Sequence, residues 1–205
     1  MRRINIISCG PGGRGYITYE ALDRIKESDV IIGSERLLKT FAPRDKRVIN
    51  IKGKIDIIPS LLKTTQSSKI AVLVTGDAGI YSLARKIVDV IGREDVEIIP
   101  GVSSLQVAFA RIKESWEDVK TFTFHGRDCR NLEDVLTSKK AVIFCDKKNS
   151  AKALLKKLFS KDVNKRYIVC QNLTLEDEEI IEIKKDEDID KLKEVSTELL
   201  IILEQ

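Results

Sequence analysis

Apolar runs of strand length recur along the chain, with stretches of helix length between them. Residues 4–9, 30–32, 48–51, 70–74 and 96–99 are each mostly apolar segments, broken only by Asn5, Ser8, Asn50 and Glu97, the pattern of strands covered on both faces. Helical spacing fills the gaps: 19–26, with Ala21, Leu22 and Ile25 on one face, then 55–65, 81–91 (opening at Tyr81 and Ser82) and 103–112. Such a rhythm predicts crossover units and a mainly parallel sheet. After residues 114–118 it resumes with a strand at 121–124, a helix at 132–136, a strand at 141–145, a helix at 151–159 and a strand at 167–170. Residues 180–183 and 199–203 read as further strands around a charged stretch that suits a solvated helix. The pattern predicts an α/β protein of two domains, 1–113 and 119–205, joined near 113–119.

Composition narrows the class. A chain of 205 residues with 42% hydrophobic content can bury a core, which argues against disorder. No apolar run approaches the roughly 18 residues of a membrane span, and the first residues lack a signal-peptide pattern, so the expectation is a soluble cytoplasmic protein. Cys9, Cys129, Cys145 and Cys170 show no metal-ligand spacing, so neither a metal site nor disulfides are expected. The net charge of +4 is unevenly spread: from Thr174 onward twelve acidic residues face four lysines, leaving the rest of the chain strongly basic. A basic body attracts a polyanion. The basic residues are dispersed and aromatics are only 5%, which gives nucleic acid few stacking platforms; a small polycarboxylate is equally consistent.

Glycines follow three of the expected strands: Gly10-Pro11-Gly12-Gly13, Thr75-Gly76-Asp77-Ala78-Gly79 and Pro100-Gly101-Val102-Ser103-Ser104. Sheets of this kind bind ligands beyond the carboxyl ends of their strands, where glycine lets backbone approach closely. Gly10, Gly12 and Gly15 also spell the dinucleotide fingerprint G-x-G-x-x-G, with an acid, Glu35, after the second strand. Pro11 removes an amide from the turn that would cradle a pyrophosphate, and that reading leaves the other two loops without a role.

Together these segments resemble the tetrapyrrole (corrin and porphyrin) methylase family. "SCGPGGRGYIT" is similar to its glycine-proline-glycine loop, "VTGDAGIYSLARKI" to its G-D-x-x-x-Y-S signature, "IIPGVSSLQVAFARI" to its P-G-x-S-S helix entry, and "TFTFHGRD" and "QNLTLEDEEI" to its second half. "IIGSERLL", "SSLQVAFAR", "SWEDV" and "HGR" resemble the precorrin-6Y and cobalt-precorrin-7 subgroup, which methylates carbon 5 of the corrin ring in cobalamin biosynthesis.

The resemblance implies two α/β domains with S-adenosylmethionine in the cleft between them, a polycarboxylate corrin substrate, and a homodimer. Carried over by position, the cofactor would meet Pro11, Thr75, Gly76, Asp77, Ile80, Ser103 and Ser104 from the first domain, and Cys145, Asn172 and Leu173 from the second. Gly12, Arg14, His125 and Arg127 would face the substrate, although a lone histidine after a strand, as His125 is, is more often a hydrogen-bonded structural residue than a base. Several relatives carry an Asp soon after the second strand that is assigned proton handling; this chain has Gly33-Ser34-Glu35 there, and no catalytic residue is assigned. Two other functions fit the same motifs: a relative within the family that methylates a modified protein histidine, as diphthine synthase does, and an NAD(P)-binding oxidoreductase.

Overall fold

A computed structural model describes residues 3–124, 132–159, 161, 164–195 and 197–204. The chain divides into two compact units, Met1–Ser104 and Leu105–Gln205.

The first unit is a five-stranded sheet: β1 (Arg3–Ser8), β2 (Val30–Gly33), β3 (Arg47–Asn50), β4 (Lys69–Val74) and β5 (Val96–Ile99). The strands lie in the order β3-β2-β4-β1-β5 and every pairing is parallel. Helices α1 (Tyr19–Glu27), α2 (Glu35–Phe41), α3 (Ile58–Thr64) and α4 (Ala84–Ile91) connect them. The apolar runs have a direct cause, because both faces of the sheet are covered. Ile4, Ile6, Ile70 and Val72 pack with Ile58 and Leu62 of α3 and Ile87 of α4, while Ile7, Ile31 and Leu73 pack with Ile25 of α1 and Leu37 and Phe41 of α2.

Helix α2 has no counterpart among the helices expected from spacing. Ser34 starts it, its hydroxyl accepting from the Leu37 amide at 3.5 Å. Residues 55–65 hold a 3-10 turn, Ile55–Ile57, followed by α3. Tyr81 does not open a helix: it has φ of 46°, in the left-handed region, and α4 begins at Ala84 once the Ser82 hydroxyl has accepted from the Ala84 amide.

From Leu105 the chain belongs to the second unit, so the division falls ahead of the junction expected at 113–119. Helix α5 (Ser104–Ile112) is tied into that unit by Arg111, whose Nε donates to Glu178 at 2.6 Å, and just beyond it Glu114 pairs with Arg166 at 3.2 Å. The second sheet holds β6 (Lys120–Thr123), β7 (Lys140–Phe144), β8 (Lys165–Gln171), β9 (Glu179–Ile183) and β10 (Glu198–Glu204), in the order β6-β7-β10-β8-β9. Helices α6 (Leu132–Leu136), α7 (Ala151–Leu158) and α8 (Asp186–Asp190) complete it, and Leu154, Leu155 and Leu158 of α7 pack on Ile143, Val169, Leu200 and Ile202.

Here the expected parallel arrangement is corrected. Only β6 and β7 pair in parallel, whereas β10 runs antiparallel to both its neighbours and β9 antiparallel to β8. Apolar runs report burial on two faces, and an antiparallel strand buried on both carries the same signal.

Candidate functional site

In the first unit all five strands end at one edge. The chain leaves β1 toward β2 through α1 on one face, and leaves the adjacent β4 toward β5 through α4 on the other. Such a divergence of neighbouring strands is where open α/β sheets bind ligands. The three glycine loops all stand there, following β1, β4 and β5.

They form one tied platform. The Gly10 amide donates to the Gly76 carbonyl at 3.3 Å and the Gly76 amide returns the bond to Gly10 at 2.8 Å, extending the pairing of β1 and β4 into their loops. Gly10 needs to be glycine, having φ of +71° and standing where a Cβ would lie 2.7 Å from the Tyr16 carbonyl oxygen. Ser8 is fully buried, and its hydroxyl accepts from the Ala78 amide at 2.9 Å. The Asp77 carboxylate binds the other two loops together: one oxygen accepts from the Gly79 amide at 2.8 Å, closing an Asx turn, and the other from the Gly101 amide at 2.9 Å. Gly101 comes so near that a Cβ on it would be 2.6 Å from the Ser8 Cβ. Ser8 therefore underlies all three loops, and though it opens the segment "SCGPGGRGYIT" its own role shows only in a contact 70 residues away.

Most of the expected site residues of this unit gather on the platform. Pro11 and Gly12 are buried, Ile80 is half-buried with its amide on the Asp77 carbonyl, Ser103 is buried at the end of the third loop, and Ser104 starts α5. Thr75 is exposed, and its hydroxyl accepts from Arg36 on α2 at 3.1 Å. Arg14 is exposed and donates to the Thr40 carbonyl at 2.9 Å. Cys9 lies between Ser8 and Gly10; burial pushes its thiol up to about 12, against the opposing pull of a backbone hydrogen bond and of the Arg36 charge. It is a neutral thiol at physiological pH.

In the second unit β6, β7 and β8 run in one direction, so their carboxyl ends share an edge, occupied by Phe124, Cys145 and Asn172. Asn149 donates to the Phe124 carbonyl at 3.0 Å. The Cys145 thiol donates to the Ile143 carbonyl, and the Asn172 amide side chain donates to Asp177 at 2.7 Å and accepts from the Thr197 hydroxyl at 3.4 Å. Asn172 and Thr174 both have positive φ, 49° and 69°, and Leu173 between them is buried. The side chains of Cys145 and Asn172 are thus engaged in shaping this edge. His125 and Arg127, expected to face a substrate, lie outside the described residues.

The geometry decides against a dinucleotide. The Cys9 amide is spent on Val74 and the Gly10 amide on Gly76, and Pro11 has none, so the first loop offers little to a pyrophosphate. Its glycines open only a three-residue 3-10 turn, Arg14–Tyr16; α1 starts beyond it, capped by the Thr18 hydroxyl, which accepts from Ala21 at 3.1 Å. Glu35, the acid expected to hold a ribose, is ion-paired with Lys39 at 2.6 Å, and that pairing holds its carboxyl below the usual range. A nucleoside without phosphates fits better. Gly76 is buried, yet a Cβ placed there would meet no atom within 4 Å outside its chain neighbours, so there is room beside the backbone of the second loop.

A family model described as Tetrapyrrole (Corrin/Porphyrin) Methylases matches residues 3–187. The chain belongs to this family. The methylase is 34% identical over 185 residues to a probable cobalt-precorrin-7 C(5)-methyltransferase of Methanocaldococcus jannaschii, covering 86% of this chain and 87% of that protein. Among solved structures it is similar to the cobalamin-biosynthesis precorrin-6Y methylase of Archaeoglobus fulgidus, with a TM-score of 0.72, 27% identity, and 99% and 98% of the two chains covered. The uroporphyrin-III C-methyltransferase of Thermus thermophilus, solved with S-adenosyl homocysteine, shares the fold at a TM-score of 0.78 and 19% identity, over 98% of this chain and 97% of that one. These likenesses agree with the two sheets described above, and they place the three glycine loops in a methylase.

Proposed function

We propose that this methylase transfers a methyl group from S-adenosylmethionine to carbon 5 of a cobalt-precorrin in cobalamin biosynthesis. The observation that carries this reading is the 34% identity, over 86% of the chain, to a protein named for that reaction. The loop platform supplies the physical reason, because it suits a nucleoside that carries no phosphate.

S-adenosylmethionine supplies an electrophilic methyl group, and a ring carbon is itself the nucleophile, so the protein needs no covalent residue for the transfer. What remains for the chain is to bind and orient, an effect worth up to roughly 7–11 kcal/mol when two reactants are well aligned. In this reading Thr75, Gly76, Asp77, Ile80, Ser103 and Ser104 hold the cofactor, largely through backbone groups fixed by the Ser8 and Asp77 ties. Pro11 meets the cofactor and, as a rigid turn, joins Gly12 in walling the substrate side, and the basic charge of the chain before Thr174 favours a macrocycle edged with carboxylates. The reading further includes a homodimer working in the cytoplasm; among the described residues no helix is long and apolar enough to cross a membrane.

The deciding experiment incubates the purified protein with a cobalt-corrinoid intermediate and methyl-labelled cofactor. The new methyl is expected at carbon 5 by NMR; label at another carbon, or no transfer while S-adenosylhomocysteine binds, overturns the assignment.

A further inference from the structure

The arginines of the first unit are not equivalent. Arg3 and Arg24 pair with Glu97, Arg14 donates to a carbonyl, and Arg44, Arg47, Arg85 and Arg93 are exposed to water. Arg36 alone among the described arginines of this unit is half-buried without a carboxylate partner, its one hydrogen bond going to the neutral hydroxyl of Thr75. The acid next to it in sequence, Glu35, is paired with Lys39, and Asp77, two residues beyond Thr75, has both carboxylate oxygens on backbone amides. The Cys9 thiol, near enough for the charge of Arg36 to act on it, stays neutral. A half-buried arginine on the rim of a ligand-binding edge, its guanidinium reaching an exposed hydroxyl and keeping N–H groups to spare, is matched by a carboxylate, which it can grip at two points.

We infer that Arg36, steadied by Thr75 at the carboxyl edge of the first sheet, binds a carboxylate of the ligands of the methyl-transfer site. That carboxylate is either a peripheral acid chain of the macrocycle or the amino-acid end of the cofactor. The inference rests on the methyltransferase reading and adds to it a specificity residue.

The test compares wild type with Arg36→Gln and Arg36→Lys in three measurements: affinity for S-adenosylhomocysteine, affinity for 5′-methylthioadenosine, which lacks the amino-acid end, and KM for the corrinoid. Arg36→Gln is expected to lose roughly 10- to 100-fold in one of them, as befits a charge-assisted contact, with Arg36→Lys falling between. A rise in KM with both nucleoside affinities intact identifies the macrocycle as the source. Loss of S-adenosylhomocysteine binding with methylthioadenosine binding intact identifies the cofactor. If wild type binds and methylates while Arg36→Gln stays within twofold in all three, the inference is overturned and the function stands. If wild type neither binds S-adenosylhomocysteine nor methylates, both fall.

Discussion

Ser8 and Asp77 hold the ligand-binding edge together by single side chains. Truncating Ser8 to Ala leaves the Ala78 amide buried without an acceptor, which costs about 1–3 kcal/mol of stability, readable by urea unfolding. Asp77→Ala frees two loops at once; S-adenosylhomocysteine affinity is expected to fall about tenfold or more by calorimetry, because each lost bond to a carboxylate is worth about 1.5–3 kcal/mol. Asp77→Asn, which keeps one acceptor oxygen, should fall less, and an affinity unchanged in both variants would show that the ties do not shape the binding surface. Asp77 is visible in the sequence as part of a motif expected to touch the cofactor, but the tie its carboxylate makes to Gly79 and Gly101 is not. Ser8 and Arg36 fall inside the family-like segments "SCGPGGRGYIT" and "IIGSERLL" without standing out from them, since each acquires its own meaning only when residues 70 and 39 positions away fold against it.

Strands were readable because burial on two faces writes itself as a nearly unbroken apolar run, and each expected strand coincides with an observed one to within two residues at either end. Helix α2, seven residues between a glycine strand end and Pro43, is too short to show a period, and Tyr81 has helical neighbours in sequence but a backbone turned left-handed by the loop. Strand direction has no local code at all, which is why the mixed second sheet was not foreseen. In that sheet the loop 172–178 is braced against α5 by Arg111 and Glu178, and Glu178 also accepts from the Thr174 amide at 2.6 Å. The Arg111 hydrogen bond foremost, and then the Thr174 amide, hold the Glu178 carboxyl below its ordinary 4.5 despite some burial. A carboxyl lowered by folding stabilises above its ordinary value, and that contribution is lost as pH falls through the lowered one. Urea unfolding at pH values from about 6 down to 3 should therefore show wild type losing stability more steeply on acidification than Glu178→Gln; parallel curves would dismiss the brace.

For the whole molecule, ligand binding to the native state is the cheapest readout. At about 100 times its dissociation constant, S-adenosylhomocysteine adds about 2.7 kcal/mol, which for a chain of this length raises the melting temperature by about 5–10 °C. NAD and NADP are expected to leave it where it is, and the reverse pattern would restore the dinucleotide reading. The second sheet adds a constraint in time. Its central position is filled by β10, residues Glu198–Glu204, between β7 and β8. During translation the first sheet can close once β5 has left the ribosome, whereas the second waits as two half-sheets, β6 with β7 and β8 with β9, until the segment that zips them together emerges. A nascent chain stalled before that point would display the apolar faces that Leu200 and Ile202 later cover, so chaperone capture should peak on ribosomes paused between the two events.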